Sequence, residues 1–296
     1  MTRIATFASH NLANLQNMET RGRINQGQIQ VSSGQKAQQY AGIAGDTNRL
    51  LGLETARSET KAYVRTIDTT QTRVSAMENN LQSLFDATSS FRQQIVNARN
   101  DHNSDHIAMK QSAEDMLDEV AGLMNLEMDG RYLFGGHRTD TAPVDLENFN
   151  PDAGGYSPGD DATGYYLGDD SVQQARIAES HTVDYGITAD EEAIDLVFRG
   201  LHAAENDELE TAHTLFDQAV DKIPDLQSKL AATGRALEDA KARHENFDVF
   251  ATDAIGKVED TDIAETVTRI TQDQSSLQAS YAVTARLGRL SLLNYL

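Results

Sequence analysis

Residues 63–98 read YVRTIDTTQTRVSAMENNLQSLFDATSSFRQQIVNA. Tyr63, Ile67, Thr70, Val74, Met77, Leu81, Leu84, Thr88, Phe91, Ile95 and Ala98 alternate steps of four and three without a slip, the spacing that lays one stripe along a helix. At ~1.5 Å per residue that helix is roughly 50 Å long, and a single stripe needs a partner to cover it. Met109, Ala113, Met116, Val120 and Leu123 keep the same phase beyond the polar break Asp101-His102-Asn103-Ser104-Asp105. Two such helices joined by a short turn predict an antiparallel hairpin. A further long stripe follows at Leu226, Leu230, Thr233, Leu237, Ala240, His244, Phe247, Ala251, Ala254 and Val258, with Pro224 placed to start or kink its helix.

The two ends of the chain supply weaker helical patterns. Ile4, Phe7, Leu12, Leu15, Met18, Ile24 and Val31 are loosely helical, and Ser32-Ser33-Gly34 interrupts them. At Glu259-Asp260-Thr261-Asp262 the phase of the third stripe slips by one residue, and Asp262 with Glu265 reads as a capping box that restarts a helix. Ile263, Val267, Ile270, Gln274, Leu277, Tyr281 and Thr284 then form a thin stripe, followed by Leu287, Leu290, Leu292 and Leu293. Neither end buries its stripe alone, so the two are expected to pair. The assembly residues read from them are Ile4, Phe7, Leu12, Leu15, Ile263, Val267, Ile270, Leu277, Tyr281, Leu287, Leu290 and Leu293.

Composition changes between His137 and Asp190, where three of the four prolines lie, with six glycines and eleven acids against two arginines. Short runs at Tyr165-Leu167, Val172 to Ile177 and Val183 to Ile187 predict two or three hairpin strands, expected at the far end of the helices. The expected fold is therefore mainly α: an elongated antiparallel helical, coiled-coil rod with paired terminal helices and a small β-rich insertion. Its parts are an N-terminal assembly helix (1–45), a first rod half (46–136), the β-rich insertion (137–190), a second rod half (191–259) and a C-terminal assembly helix (260–296).

Charge and composition narrow the function. Hydrophobic residues make up 39 % and aromatics 6 %, with no tryptophan, which suits long one-striped helices better than a thick core. Net charge is −21: residues 1–47 carry +2 and residues 261–296 carry 0, leaving −23 on the middle. Phosphate contact needs clustered Lys and Arg, so nucleic acid is a poor partner. Near-neutral ends can pack on copies of themselves while an acidic middle stays solvated. With no cysteine, disulfides and thiolate chemistry are absent. The start lacks the apolar core of a cleaved secretory signal, and no run reaches the ~18 apolar residues of a membrane span.

Sites of chemistry are scarce. His102 and His106, with Asp101 and Asp105, share a helical spacing but lack a third ligand, which favours a solvated helix break over a metal site. Asp152, Asp160, Asp161, Asp169 and Asp170 miss the loop spacing that wraps calcium. Gly135-Gly136 has no phosphate-loop lysine and reads as a helix end needing positive φ. No nucleophile elbow, carboxylate pair or zinc signature is present. The chain is expected to be no enzyme and to need no cofactor.

Several motifs carry a family likeness. NLEMDGRYLFGGHRTDTAPV at 125–144, with Tyr132, Leu133, Phe134, Gly135 and Gly136 at its centre, resembles a signature of the hook-associated protein 3 family, the flagellin-like hook–filament junction proteins of bacterial flagella. The last 39 residues, ending Ser-Leu-Leu-Asn-Tyr-Leu, resemble the C-terminal helix of that family. Arg3-Ile4-Ala5-Thr6 and Gln30 to Lys36 resemble the N-terminal motif it shares with flagellin, and Tyr166-Leu167-Gly168-Asp169 with Arg176-Ile177 its entry into the β region. Where the family usually has Ser-Asp-Asp-Pro, this chain has Ala41-Gly42-Ile43-Ala44-Gly45-Asp46. The resemblance implies a homo-oligomeric ring, assembled through coiled-coil terminal helices, between a hook-side junction protein and filament flagellin. It also implies an extracellular, flagellar location, type III export without a cleaved signal, and a chaperone shielding the C-terminal helix, with no membrane insertion. A short flagellin forming the filament is the alternative; a metal-dependent enzyme or calcium-binding adhesin centred on 101–190 is the rival of another class.

Overall fold

A computed structural model describes residues 2–43, 45–100, 106–147, 149 and 164–293; of residues 2–10, 106 and 287–293 it describes the backbone alone. The elements are α1 (Thr2–Ser33), a 3-10 turn (Tyr40–Ile43), α2 (Thr47–Asn100), α3 (His106–Met124), β1 (Glu127–Met128), β2 (Arg131–Tyr132), β3 (Gln173–Ala178), β4 (His181–Tyr185), α4 (Glu192–Glu205), α5 (Leu209–Glu259) and α6 (Ile263–Leu293). The fold is mainly α, with two small antiparallel hairpins, β1–β2 and β3–β4. The backbone divides into two compact units, one of Met1–Ser58 with Asp248–Leu296 and one of Glu59–Phe247.

In the Glu59–Phe247 unit, the stripe of α2 is the core. Ile67, Val74, Met77, Leu81, Leu84, Phe91 and Ile95 are at most 3 % exposed, as expected from one unbroken 4–3 alternation. α5 runs antiparallel to α2. Asp68 meets Lys241 at 2.7 Å and Arg92 meets Asp217 at 2.8 Å. Gln82 meets Gln227 at 3.2 Å, and Arg99 pairs with Glu210, so each step forward on α2 matches an equal step back on α5. Between the salt bridges the Phe91 and Phe216 rings sit 5.4 Å apart. α3 keeps the expected phase, with Ala113, Met116 and Val120 buried, and Asn80 of α2 donates to the Leu123 carbonyl at 2.8 Å.

Several details refine the sequence reading or differ from it. Of the two places expected for Pro224, a helix start or the body of a helix, the structure has the second: it lies inside α5. The chain instead breaks between α4 and α5, where Asp207 takes a φ of 66°. A β1–β2 hairpin, absent from the sequence reading, turns through Asp129 (φ 53°) and Gly130 (φ 72°), pairing Glu127 with Tyr132 and Met128 with Arg131. The β3–β4 hairpin forms where strands are expected, but Tyr165-Leu167 makes only an isolated bridge, Tyr166 to Val144. Nor does β3–β4 stand off at the far end of the helices. His244 of α5 hydrogen-bonds the Ile177 carbonyl at 2.6 Å while stacking on Tyr63 of α2, and Arg73 donates to the Tyr185 hydroxyl at 3.0 Å. Gln173, Ala175 and Ile177 alternate inward; Gln173 donates to the Gly136 carbonyl at 3.1 Å, and the apolar Ala175 and Ile177 join the core with the α2 stripe.

The family-like segment around Tyr132 forms a packed loop rather than a helix end. Asn125 donates its amide to the Val144 carbonyl and accepts the Val144 N–H, both at 2.9 Å, copying one rung of a β ladder with a side chain. Leu133 and Phe134 are 1 % and 0 % exposed, and the Phe134 carbonyl accepts the Ala189 N–H. Tyr165 closes the same core, donating to the Ala189 carbonyl at 3.0 Å with its ring 4.4 Å from Phe198. Gly136 has a φ of 67°, and a Cβ there would lie 2.4 Å from the Asp169 carbonyl oxygen. The Asp169 carboxylate accepts from the His137 and Ser171 N–H groups, each at 3.0 Å. Gly136 thus supplies the expected positive φ, but in a loop after β2 and not at a helix end.

Candidate assembly interface

The Met1–Ser58 and Asp248–Leu296 unit pairs α1 with α6. Gln30 faces Arg269, Arg23 faces Asp273, and Arg21 lies over the Tyr281 ring, so the helices run antiparallel. On α1 a row of covered positions runs through Ala13, Asn17, Thr20, Ile24, Gly27 and Val31, with Gln30 covered beside it; on α6 the row is Thr266, Ile270, Asp273, Leu277, Ser280 and Thr284. Both sets alternate four and three, the geometry of an antiparallel coiled-coil seam. The side chains in the seam are mostly small or polar, which brings the backbones close. A Cβ on Gly27 would lie 2.7 Å from Ile270 Cγ1, so this position admits no side chain without displacing Ile270.

Electrostatics fix the register. Arg23 donates from Nε and Nη2 to both carboxylate oxygens of Asp273, at 3.2 and 2.9 Å. That hydrogen bond and the guanidinium charge hold the Asp273 carboxyl below the usual carboxylate range. Arg23 is correspondingly raised by the same hydrogen bond. Arg269 Nη2 donates to Gln30 Oε1 at 2.9 Å. The Asp262 carboxylate accepts the Glu265 N–H at 3.0 Å, capping α6 at the predicted residue.

The predicted assembly residues divide. Ile270 and Leu277 are half-buried in the seam. Leu12 and Leu15 are 58 % and 59 % exposed, and Ile263, Val267 and Tyr281 are 52 %, 45 % and 40 % exposed. Ile4, Phe7, Leu287, Leu290 and Leu293 lie outside the side chains described. The sequence stripe on α6 thus mixes two faces: it follows the large residues, whereas the seam uses Thr266, Asp273 and Ser280. Asn17, Thr20 and Gly27 on α1 escape the sequence reading for the same reason. Met18, Ile29 and Val283 add to the exposed apolar side chains of this pair.

The other candidate sites are less informative. Asp101, His102, Asp105, Asp152, Asp160 and Asp161 lie outside the described residues, as does the side chain of His106. Among the described residues no group of three or more His, Asp or Glu is arranged to hold a metal ion. No described helix is long and apolar enough to cross a membrane.

One unit of long antiparallel helices and another that pairs the N- and C-terminal helices define the class of fold, a flagellin-like one. Residues 214–296, covering most of α5 and all of α6, match the model of the bacterial flagellin C-terminal helical region. FlgL of Bacillus cereus has the same fold, with a TM-score of 0.55 at 18 % identity over 70 % of this chain and 99 % of that one. FlgL of Xanthomonas campestris gives 0.54 at 13 % identity over 69 % and 99 %. A Vibrio parahaemolyticus structure assigned as a flagellar hook-associated protein gives 0.58 at 18 % identity over 71 % and 96 %. No curated protein sequence matches the chain. The chain therefore has the fold of these flagellar hook-associated proteins, and its residues 214–296 are similar to the flagellin C-terminal helical region.

Proposed function

We propose that this protein is a structural component of the bacterial flagellum, a junction protein that adapts the hook to the filament. The observation that carries this reading is the α1–α6 pair. Its seam is made mostly of small and polar residues, and it leaves Leu12, Leu15, Met18, Ile263 and Val267 exposed. Scattered exposed apolar residues are ordinary, but these sit on one helix pair that ends in a flagellin C-terminal region. In this reading copies form a ring, with residues 1–45 and 260–296 as assembly helices and 46–259 facing outward. A hook-side junction protein and flagellin are its neighbours, export needs no cleaved signal, and a chaperone shields α6 beforehand. The near-neutral ends and the −23 middle support that arrangement, since like-charged segments repel and stay solvated. The role is architectural and calls for no chemistry. The hook-associated proteins sharing the fold favour a junction over a filament subunit.

Deleting the gene, imaging the cells by electron microscopy and blotting the medium for flagellin tests this reading. Hooks without filaments, with flagellin shed into the medium, are expected. Bare hooks in a strain making no other flagellin would identify the filament subunit instead, and normal filaments would contradict both.

A further inference from the structure

The two connectors that join the terminal helices to the rest of their unit are bonded to each other. Gln35 and Asp260 form an antiparallel bridge. The Lys36 N–H donates to the Glu259 carbonyl at 2.7 Å, and the Thr261 N–H donates to the Gly34 carbonyl at 2.8 Å. The Lys36 ammonium reaches past this bridge to the end of α5, donating to the Lys257 and Val258 carbonyls at 2.7 and 3.0 Å. The Lys36 carbonyl is in turn held by the side-chain amide of Gln30, from the last turn of α1, at 2.8 Å.

The last four carbonyls of any α-helix lack in-helix donors, and the helix end carries partial negative charge. A lysine ammonium on those carbonyls is a C-cap, here supplied from about 220 positions away in sequence. The cap therefore belongs to the α1 connector while the helix it stabilises leads into α6. We propose that Lys36 and the Gln35–Asp260 bridge form a latch that makes α1 and α6 order and release together, as one element. Without it, each terminal helix would fray from its own connector. The latch is a property of the isolated chain, and its test does not depend on a flagellar role.

Hydrogen exchange on the full-length chain tests it. Lys36→Met keeps the methylenes and removes the ammonium; Lys36→Arg keeps the charge. Lys36→Met is expected to speed exchange at the residue 36 and Thr261 amides and throughout both α1 and α6, by roughly three- to tenfold, with residues 67–95 unchanged. Lys36→Arg is expected to stay near the parent. In the Lys36→Met background, an oxidised Gln35→Cys/Asp260→Cys pair is expected to restore protection in both helices, because bridged strand residues have the Cα spacing a disulfide needs. Faster exchange in only one terminal helix, no change in either, or no rescue by the cross-link would overturn the latch.

Discussion

Arg23 and Asp273, 250 positions apart in sequence, meet in a two-pronged ion pair that sets the register of the terminal helices. Asp273 is largely covered, with 15 % of its side chain exposed, whereas the Arg23 side chain is 54 % exposed. The pair selects one alignment of a seam whose small residues would tolerate several.

Because Arg23 depresses the Asp273 carboxyl, the sign of the pH effect follows. The pair contributes fully above the ordinary aspartate pKa of about 4 and is lost as pH falls through the lowered folded value. Arg23→Met should loosen α1–α6 at neutral pH, with the difference from the parent closing as pH falls through the lowered Asp273 value. Amide exchange in α1 and α6 across that range measures it; an effect independent of pH would refute it.

Gly27 against Ile270 gives a double-mutant test. Gly27→Ala alone should weaken α1–α6 pairing, because the new Cβ would stand 2.7 Å from Ile270 Cγ1. With Ile270→Ala also present, the same change should stabilise α1 by about 1 kcal/mol through helix propensity. Equal effects in both backgrounds would mean the helices do not approach this closely.

Core and assembly residues should separate cleanly. Leu81→Ala, at a fully buried position of α2, is expected to cost about 2–5 kcal/mol in thermal or denaturant unfolding. Leu12→Ser with Leu15→Ser, at positions more than half exposed, should change stability by no more than about 0.5 kcal/mol per site yet abolish motility. Normal swarming by the double variant would remove these leucines from the interface.

The Asn125 side chain stands in for a strand. Asn125→Ala leaves the Val144 N–H and C=O without their partner and should destabilise the Glu59–Phe247 unit by about 1–3 kcal/mol, read from the unfolding midpoint.

Legibility in the sequence tracks how large and how regular the buried residues are. The α2 stripe is readable because Ile67 to Ile95 are bulky and evenly spaced, and Leu226, Leu230 and Leu237 of α5 behave alike. The α6 seam is misphased in the sequence reading because Thr266, Asp273 and Ser280 carry no hydrophobic signal, while exposed Ile263 and Val267 do. The β1–β2 hairpin does have a local signal: Asp129-Gly130 is a dipeptide suited to a tight turn with positive φ at both positions. The strands on either side of it are only two residues long, too short for a visible alternation. The position of β3–β4 beside the helices depends on His244, Tyr63 and Arg73, long-range contacts that no local pattern encodes.

The most direct test of the junction role is where the protein sits. A small epitope inserted between Glu179 and Ser180, the exposed turn of β3–β4, leaves the terminal helices untouched. Gold labelling of purified flagella should then mark one narrow band per flagellum, between hook and filament. Label along the whole filament, or none on the flagellum, would contradict the account.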